Sequence, residues 1–295
     1  MRHIHLLILV SLFGGLCGCI STDDQAGSDD QGRVNVVATT VPLGHFVEMV
    51  GGDRVKVAVL VQPGTNPHTF EPSPSHMRLI EDADLYVKNG AGLEIWIDRI
   101  IRANQKMLVV DSSEGVDLIE APGPDHNAHE SILTADPHIW LSPRNAMIMT
   151  DNICDGLVRV DPSNASHYRN NLDAYQKRLR ALDAELNETF PKTKLKEFVV
   201  LHPSWGYLAR DYGLEQVPLL PTEKEPGPRH LASIINTARE KNISTVFADP
   251  NFNPKSAEIV ANEIGGRVVP LNPLAENYLD NMRLVGEEIA ASLEA

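Results

Sequence analysis

The sequence predicts an α/β protein of two similar lobes, each a mostly parallel sheet flanked by helices, joined by one long rigid α-helix. Three observations predict it. Short runs rich in Val, Ile and Leu alternate with amphipathic stretches from residue 34 onwards, the pattern of parallel strands covered by helices. A central segment breaks that rhythm, placing Tyr168, Leu172, Tyr175, Leu179, Leu182, Leu186 and Phe190 at spacings of three and four, which reads as a single amphipathic helix. The alternation then restarts, so two halves of similar design flank the helix.

In the first half, strands are read at 34–39, 55–61, 85–88 and 107–111, each an aliphatic or β-branched run. Helices are read at 43–50, 75–81 and 93–102, and another after Pro143, where an apolar period runs over 146–160. Between them, residues 121–136 collect Pro, Gly, Asp and two His, the composition of an exposed loop. The capping signal Asp161-Pro162-Ser163 opens the long helix, which spans roughly 40 Å to Phe190 at ~1.5 Å per residue. In the second half, strands are read at 197–201, 214–219, 245–248 and 268–271, and helices at 205–212, 230–241, 255–264 and 278–293. The expected divisions are 34–160 for an N-terminal lobe, 161–191 for the linker helix and 192–295 for a C-terminal lobe. No residue-level repeat relates the halves, so their likeness is architectural.

Residues 1–18 read as a secretory signal peptide: Arg2 precedes the apolar run 6–16, too short to span a membrane in the mature chain. That run ends in Leu16-Cys17-Gly18-Cys19, a lipobox pattern, which makes Cys19 the expected lipid-bearing residue. Residues 19–33 are then a polar, Asp-rich tether. These features predict an exported chain anchored to the outer face of the cytoplasmic membrane. With Cys17 removed and Cys19 modified, Cys154 has no partner for an internal disulfide and is expected in the core. The net charge of −14 argues against nucleic acid or anionic lipid headgroups as partners.

Three histidines share an unusual setting. His68 stands in Asn66-Pro67-His68-Thr69-Phe70-Glu71-Pro72, His138 in Asp136-Pro137-His138-Ile139-Trp140, and His202 in Leu201-His202-Pro203-Ser204-Trp205. Each is flanked by proline, and His68 and His202 follow strands, beyond whose carboxyl ends ligands bind in open α/β sheets. Any one of them alone reads as an ordinary satisfied histidine; the recurrence argues for a shared site. Neutral imidazole is a borderline-soft donor that suits zinc, whereas manganese and iron call for more carboxylate. His45, His76, His167 and His230 are expected at the surface. Three histidines with an open fourth position also describe a catalytic zinc site, but the chain has no His-Glu-x-x-His, no Gly-x-Ser-x-Gly and no glutamate spaced as a general base. The expectation is therefore a binding protein, with a zinc hydrolase or a metal-containing adhesin lipoprotein as rival readings.

Over about residues 34–293 these motifs resemble the metal-binding solute-receptor family of zinc and manganese ABC importers. The likeness rests on the three histidine motifs together with Ala83-Asp84-Leu85 and Asn89-Gly90-Ala91-Gly92-Leu93-Glu94-Ile95-Trp96. It implies a receptor that acts as a monomer, captures Zn(II) between its lobes and delivers it to an ABC transporter permease and its ATPase. Mn(II) and Fe(II) remain alternative cargoes. It also implies His68, His138 and His202 as ligands. The family's fourth ligand is usually an Asp in a Leu-Asp-Pro-Leu context, where this chain has Leu271-Asn272-Pro273-Leu274. The fourth donor is thus left open among Asn272, a water, Asp249 and Glu225. Ser142 stands where the family often has an acidic residue. Asp125-His126-Asn127-Ala128-His129-Glu130 resembles a miniature of a histidine-rich loop, making His126 and His129 an accessory metal loop or simply a solvated turn.

Overall fold

Alternation along the strands sorts side chains onto two faces, and that sorting builds the molecule. The computed structural model describes residues 32–121, 134–220 and 226–294. In the first lobe, β1 (Val34–Thr40), β2 (Val55–Val61), β3 (Leu85–Lys88) and β4 (Leu108–Asp111) form a parallel sheet in the order β2-β1-β3-β4. Register pairs Val36 with Val57 on one side and with Leu85 on the other. Because successive Cβ atoms point to opposite faces, Val36, Ala38, Leu85 and Val87 enter one core while Val37 and Tyr86 enter another. Helices α1 (Val41–Gly51) and, later in the chain, Pro143–Val160 cover the first face; α2 (Pro74–Glu81) and α3 (Ile97–Ala103) close the second.

A short antiparallel pair, β5 (Glu120–Ala121) and β6 (Thr134–Ala135), precedes α4, the helix Pro143–Val160. The second lobe repeats the first sheet's design. Its strands β7 (Glu197–Val200), β8 (Glu215–Pro218), β9 (Thr245–Ala248) and β10 (Arg267–Pro270) run parallel in the order β10-β9-β7-β8. Phe198, Val200 and Phe247 face the core that the first lobe also uses. Val199, Leu201, Val246 and Ala248 face a local core closed by α7 (Pro228–Glu240) and α8 (Lys255–Glu263).

One core is therefore common to both lobes, and α5 (Ala165–Thr189) runs along it. Its buried stripe is Tyr168, Tyr175, Leu179, Leu182 and Leu186, packed against α1 and α4 from the first lobe and α9 (Tyr278–Leu293) from the second. The expected helix at 162–190 is divided: 3-10 turns at Pro162–Asn164 and Phe190–Lys192 bracket the α-helix. Pro162 and Pro191 lie in those turns, where a proline without an N–H cannot continue an α-helical ladder.

The helix expected at 93–102 begins only at Ile97. Gly90, Ala91 and Gly92 take φ of 78°, 51° and 82°, the left-handed region, and turn the chain around Glu94 before the helix can start. A Cβ on Gly90 would collide with the Asp111 and Ser113 side chains. Cys154 is buried, and desolvation pushes its thiol up to about 11, which fits packing rather than reactivity.

Both strand orders reverse direction once, between β1 and β3 and between β7 and β9. Crevices form beyond the carboxyl ends of strands at such points. Among the described residues no helix is long and apolar enough to cross a membrane. The expected signal peptide, Cys19 and most of the tether lie outside the described residues, as do His126, His129 and Glu225.

Leu182 is fully buried in the shared core. Leu182→Ala is expected to cost about 2–5 kcal/mol, and because both lobes use that core, chemical unfolding of the variant should remain one cooperative transition. Two separated transitions in circular dichroism would contradict a shared core.

Candidate metal centre

Three loops converge at the interlobe crevice, and each is stiffened locally before it presents a histidine. In the loop between β2 and α2, the Asn66 side-chain oxygen accepts from the His68 backbone N–H at 2.9 Å, and Phe70 buries its ring against Trp96, 5.1 Å between centroids. After β6, Asp136 Oδ1 accepts from both the backbone N–H of His138 at 2.9 Å and its Nδ1 at 2.7 Å. A carboxylate only accepts, so Nδ1 carries the proton and Nε2 carries the lone pair. His202 follows the last residues of β7, where Leu201 N–H donates to Phe247 at 2.7 Å and fixes the strand end.

His138 is the centre of the cluster. Its Nε2 lies 3.1 Å from His68 Nε2 and 3.3 Å from His202 Nε2. A tetrahedral ion with Zn–N bonds of about 2.0–2.1 Å needs donor separations of about 3.3 Å, so the spacing fits that ion. Among the described residues these three are the group whose ligand atoms all lie within 4.8 Å of one another. Burial, then the neighbouring His138, lowers the pKa of His68 to about 3. Burial, then both neighbours, lowers that of His202 to about 2. Both rings are therefore neutral at physiological pH and able to ligate.

Both lobes hold the His138 loop. From the second lobe, Tyr207 in α6 (Gly206–Tyr212) donates its hydroxyl to the Asp136 carbonyl at 2.7 Å and accepts from Ile119 N–H at 3.2 Å. Trp140 Nε1 donates to the Pro273 carbonyl at 2.7 Å, and Ser142 both caps α4 and donates to the Asp211 carboxylate. From the first lobe, Asn89 donates to the Pro137 carbonyl at 2.9 Å. Asn89 is itself fixed by Glu94, a buried carboxylate accepting from Thr39 Oγ1 at 2.7 Å, Asn89 N–H at 2.6 Å and Gly90 N–H at 3.1 Å. Desolvation raises the Glu94 pKa, and those donors oppose the shift.

The sequence reading named the residues around the three histidines without giving Asp136, Glu94, Asn89, Tyr207 or Phe252 a role. An aspartate two residues before a histidine is the available signal for Asp136, and Asn89 and Glu94 stand in a motif that carries the family likeness; Phe252 has no local signal. Asn272, left open as a fourth donor, is exposed; its side-chain oxygen accepts from Leu274 N–H at 2.9 Å, and its neighbours Pro273 and Leu274 line the cavity. Asp249 is buried and lines the cavity, yet stands outside the close group of donor atoms. The histidines expected at the surface are half-buried and engaged. His76 completes the cap of α2 with Ser73, His167 meets Asn171, His230 meets the Pro218 carbonyl, and His45 sits edge-on to Tyr175.

Known proteins match this arrangement over most of its length. The family model for the zinc-uptake complex component A, periplasmic, matches residues 36–292. The high-affinity zinc uptake system protein ZnuA of Bacillus subtilis (strain 168) is 32% identical over 279 residues, covering 91% of this chain and 88% of that protein. The zinc-binding lipoprotein AdcA of Streptococcus pneumoniae is 32% identical over 305 residues; all of this chain matches, and it spans 59% of the length of AdcA. A crystal structure of a ZnuA deletion mutant with zinc bound superposes with a TM-score of 0.83 at 37% identity, over 89% of this chain and 99% of that one.

Asp136→Asn removes the carboxylate that sets the His138 tautomer, and is expected to weaken zinc binding by about 10–100-fold in competition titration. Unchanged affinity would show that His138 needs no such partner. In the metal-free chain, His68 and His202 have folded pKa values below the ~6.5 of unfolded imidazole. Between those values the unfolded state binds more protons, so stability is full above about pH 6.5 and declines as pH falls toward 3. Urea midpoints of metal-free protein should drop over that interval, and less steeply in the double variant His68→Gln/His202→Gln. Equal slopes in the two proteins would contradict the burial of neutral rings.

Proposed function

The chain belongs to the periplasmic zinc-uptake complex component A family, and on that footing we propose that it is the extracytoplasmic solute-binding protein of a metal ABC importer. It captures Zn(II) between its lobes with His68, His138 and His202 and delivers it to the membrane permease. One observation carries the reading: three imidazoles, with His138 and His202 buried and His68 partly buried, present Nε2 atoms 3.1 and 3.3 Å from the central one, the spacing of the edges of a zinc-sized tetrahedron. The cavity they share with Asp249 measures about 10 Å³, room for roughly one water-sized body in all.

The same observations favour zinc over manganese or iron. The close donor set is all nitrogen, and the harder ions prefer carboxylate and water oxygen. They also favour a carrier over a hydrolase. A catalytic zinc needs an open position large enough for substrate and a carboxylate free to move protons. Here the cavity among the described residues measures about 10 Å³, too small for a substrate, and Asp249 Oδ1 accepts from Asn251 N–H at 2.8 Å and from its side chain at 2.9 Å. We place the chain outside the cytoplasmic membrane, tethered through a lipid on Cys19, as a monomer whose partner is an ABC permease with its ATPase. The lobe divisions 34–160 and 192–295, with the linker 161–191, remain our reading of the domain plan.

Metal-free protein is expected to take up one zinc per chain, and His138→Ala to weaken binding by about a hundredfold or more, ~2.8 kcal/mol. Titration against a chelator of known affinity, with elemental analysis for stoichiometry, measures both. Full affinity in a triple His68→Ala/His138→Ala/His202→Ala variant would overturn the site.

A further inference from the structure

The wall opposite the histidines is the unexplained part of the site. The histidines share the cavity with Pro67, Trp140, Phe252, Pro273 and Leu274, and among the described residues Asp249 is the one carboxylate lining it. Phe252 is the apolar lining residue stacked on one of the three histidines. Its ring stacks on the imidazole of His202, 4.5 Å between centroids and 19° between planes. The ring is held from both ends. Phe252 N–H donates to the Asp249 carbonyl at 3.1 Å, and the Asp249 carboxylate pins the intervening Asn251, so the turn carrying Phe252 is rigid. Its side chain packs on the core that closes the outer face of the second sheet.

We propose that Phe252 determines the coordination number of the bound ion, and through it the preference for zinc over manganese. The proposal rests on the zinc-receptor reading and names the residue that gives that site its selectivity. Three imidazole nitrogens supply three corners of a tetrahedron, and the cavity beside them, about 10 Å³, leaves no room for a shell of several waters around an ion. Zinc is satisfied with four ligands. Manganese takes six, mostly oxygen, and must find further waters. Phe252 covers one face of the His202 ring and lines the cavity, so its apolar ring offers further waters no hydrogen bond. The stack also limits the swing of the His202 ring, so the site cannot widen toward octahedral angles. Removing the ring opens space for added waters, at a larger gain for manganese than for zinc.

The test uses the full-length protein with Co(II), Zn(II) and Mn(II) as probes. Four-coordinate cobalt absorbs visible light far more strongly than six-coordinate cobalt, because tetrahedral geometry has no centre of symmetry, so the spectrum reads coordination number directly. Wild type should give strong bands. Phe252→Ala should give weak ones, with the zinc-to-manganese affinity ratio reduced by about tenfold or more. Phe252→Leu, which keeps most of the apolar volume, should stay close to wild type in both readouts. Should Phe252→Ala fail to fold, Phe252→Val is read by the same two measures and decides the matter. Strong cobalt bands and an unchanged ratio in the smaller variant would overturn the proposal, even if both affinities fell together, since that pattern belongs to a merely structural side chain. Tight zinc binding by wild type with weak cobalt bands would overturn the role of Phe252 alone. A wild-type protein that binds no zinc would overturn the receptor reading itself.

Discussion

Everything about the crevice follows from holding three imidazoles, two of them buried and one partly buried, pointed at one another. His138 Nε2 offers one lone pair, because its Nδ1 proton is committed to Asp136, and two other ring nitrogens converge on it at 3.1 and 3.3 Å. A cation answers all three donors at once. Protons answer His68 and His202 poorly, since burial and mutual proximity disfavour their charged rings. The fold must therefore supply the free energy that holds the donors in place before any ion arrives, and the hydrogen bonds around Asp136 and Pro137 are where it does so.

That requirement explains why the loop carrying His138 is fastened to both lobes. Tyr207, Trp140 and Ser142 tie it to the second lobe, and Asn89 with Glu94 ties it to the first. Beneath it, the shared core brings one face of each sheet together with α5, so the lobes are not separate bodies joined by a thin strap. Large hinge closure relies on a few residues that absorb big dihedral changes. A continuous helix whose apolar stripe from Tyr168 to Leu186 is buried leaves no such residues along it. In the His68 loop, His68 is partly buried and its backbone N–H donates to the Asn66 side chain of the same loop.

The division of labour between donors and walls also has a physical basis. Nitrogen donors alone give affinity for several divalent ions in the order of their intrinsic binding strength, so geometry must add the selectivity. Here the donors come from three separate loops, while the restriction on further ligands comes from apolar side chains on the β9–α8 connection and on the turn after β10. On the proposed reading, the nitrogen donors and the apolar wall both favour zinc, the first by ligand type and the second by space.

By itself the sequence determined the order of strands and helices, the two-lobed α/β plan, the long central helix and the three histidine motifs. Each of these is written in local periodicity or in a stiff, proline-flanked context that needs no distant partner to be read. Tertiary structure decided the rest. Helix α3 starts late because buried Glu94 draws the backbone of Asn89 and Gly90 around it. Asn272, placed by motif where a ligand is usual, turns its oxygen to Leu274 and leaves the cavity to its neighbours. Tyr207 and Trp140 read as ordinary core aromatics until packing brings them to Asp136 and Pro273, 71 and 133 residues away. Helical and strand periods record which face of an element is apolar, but not which polar atom on that face will meet a partner from another lobe. That meeting depends on the relative placement of whole elements, fixed only when the shared core closes.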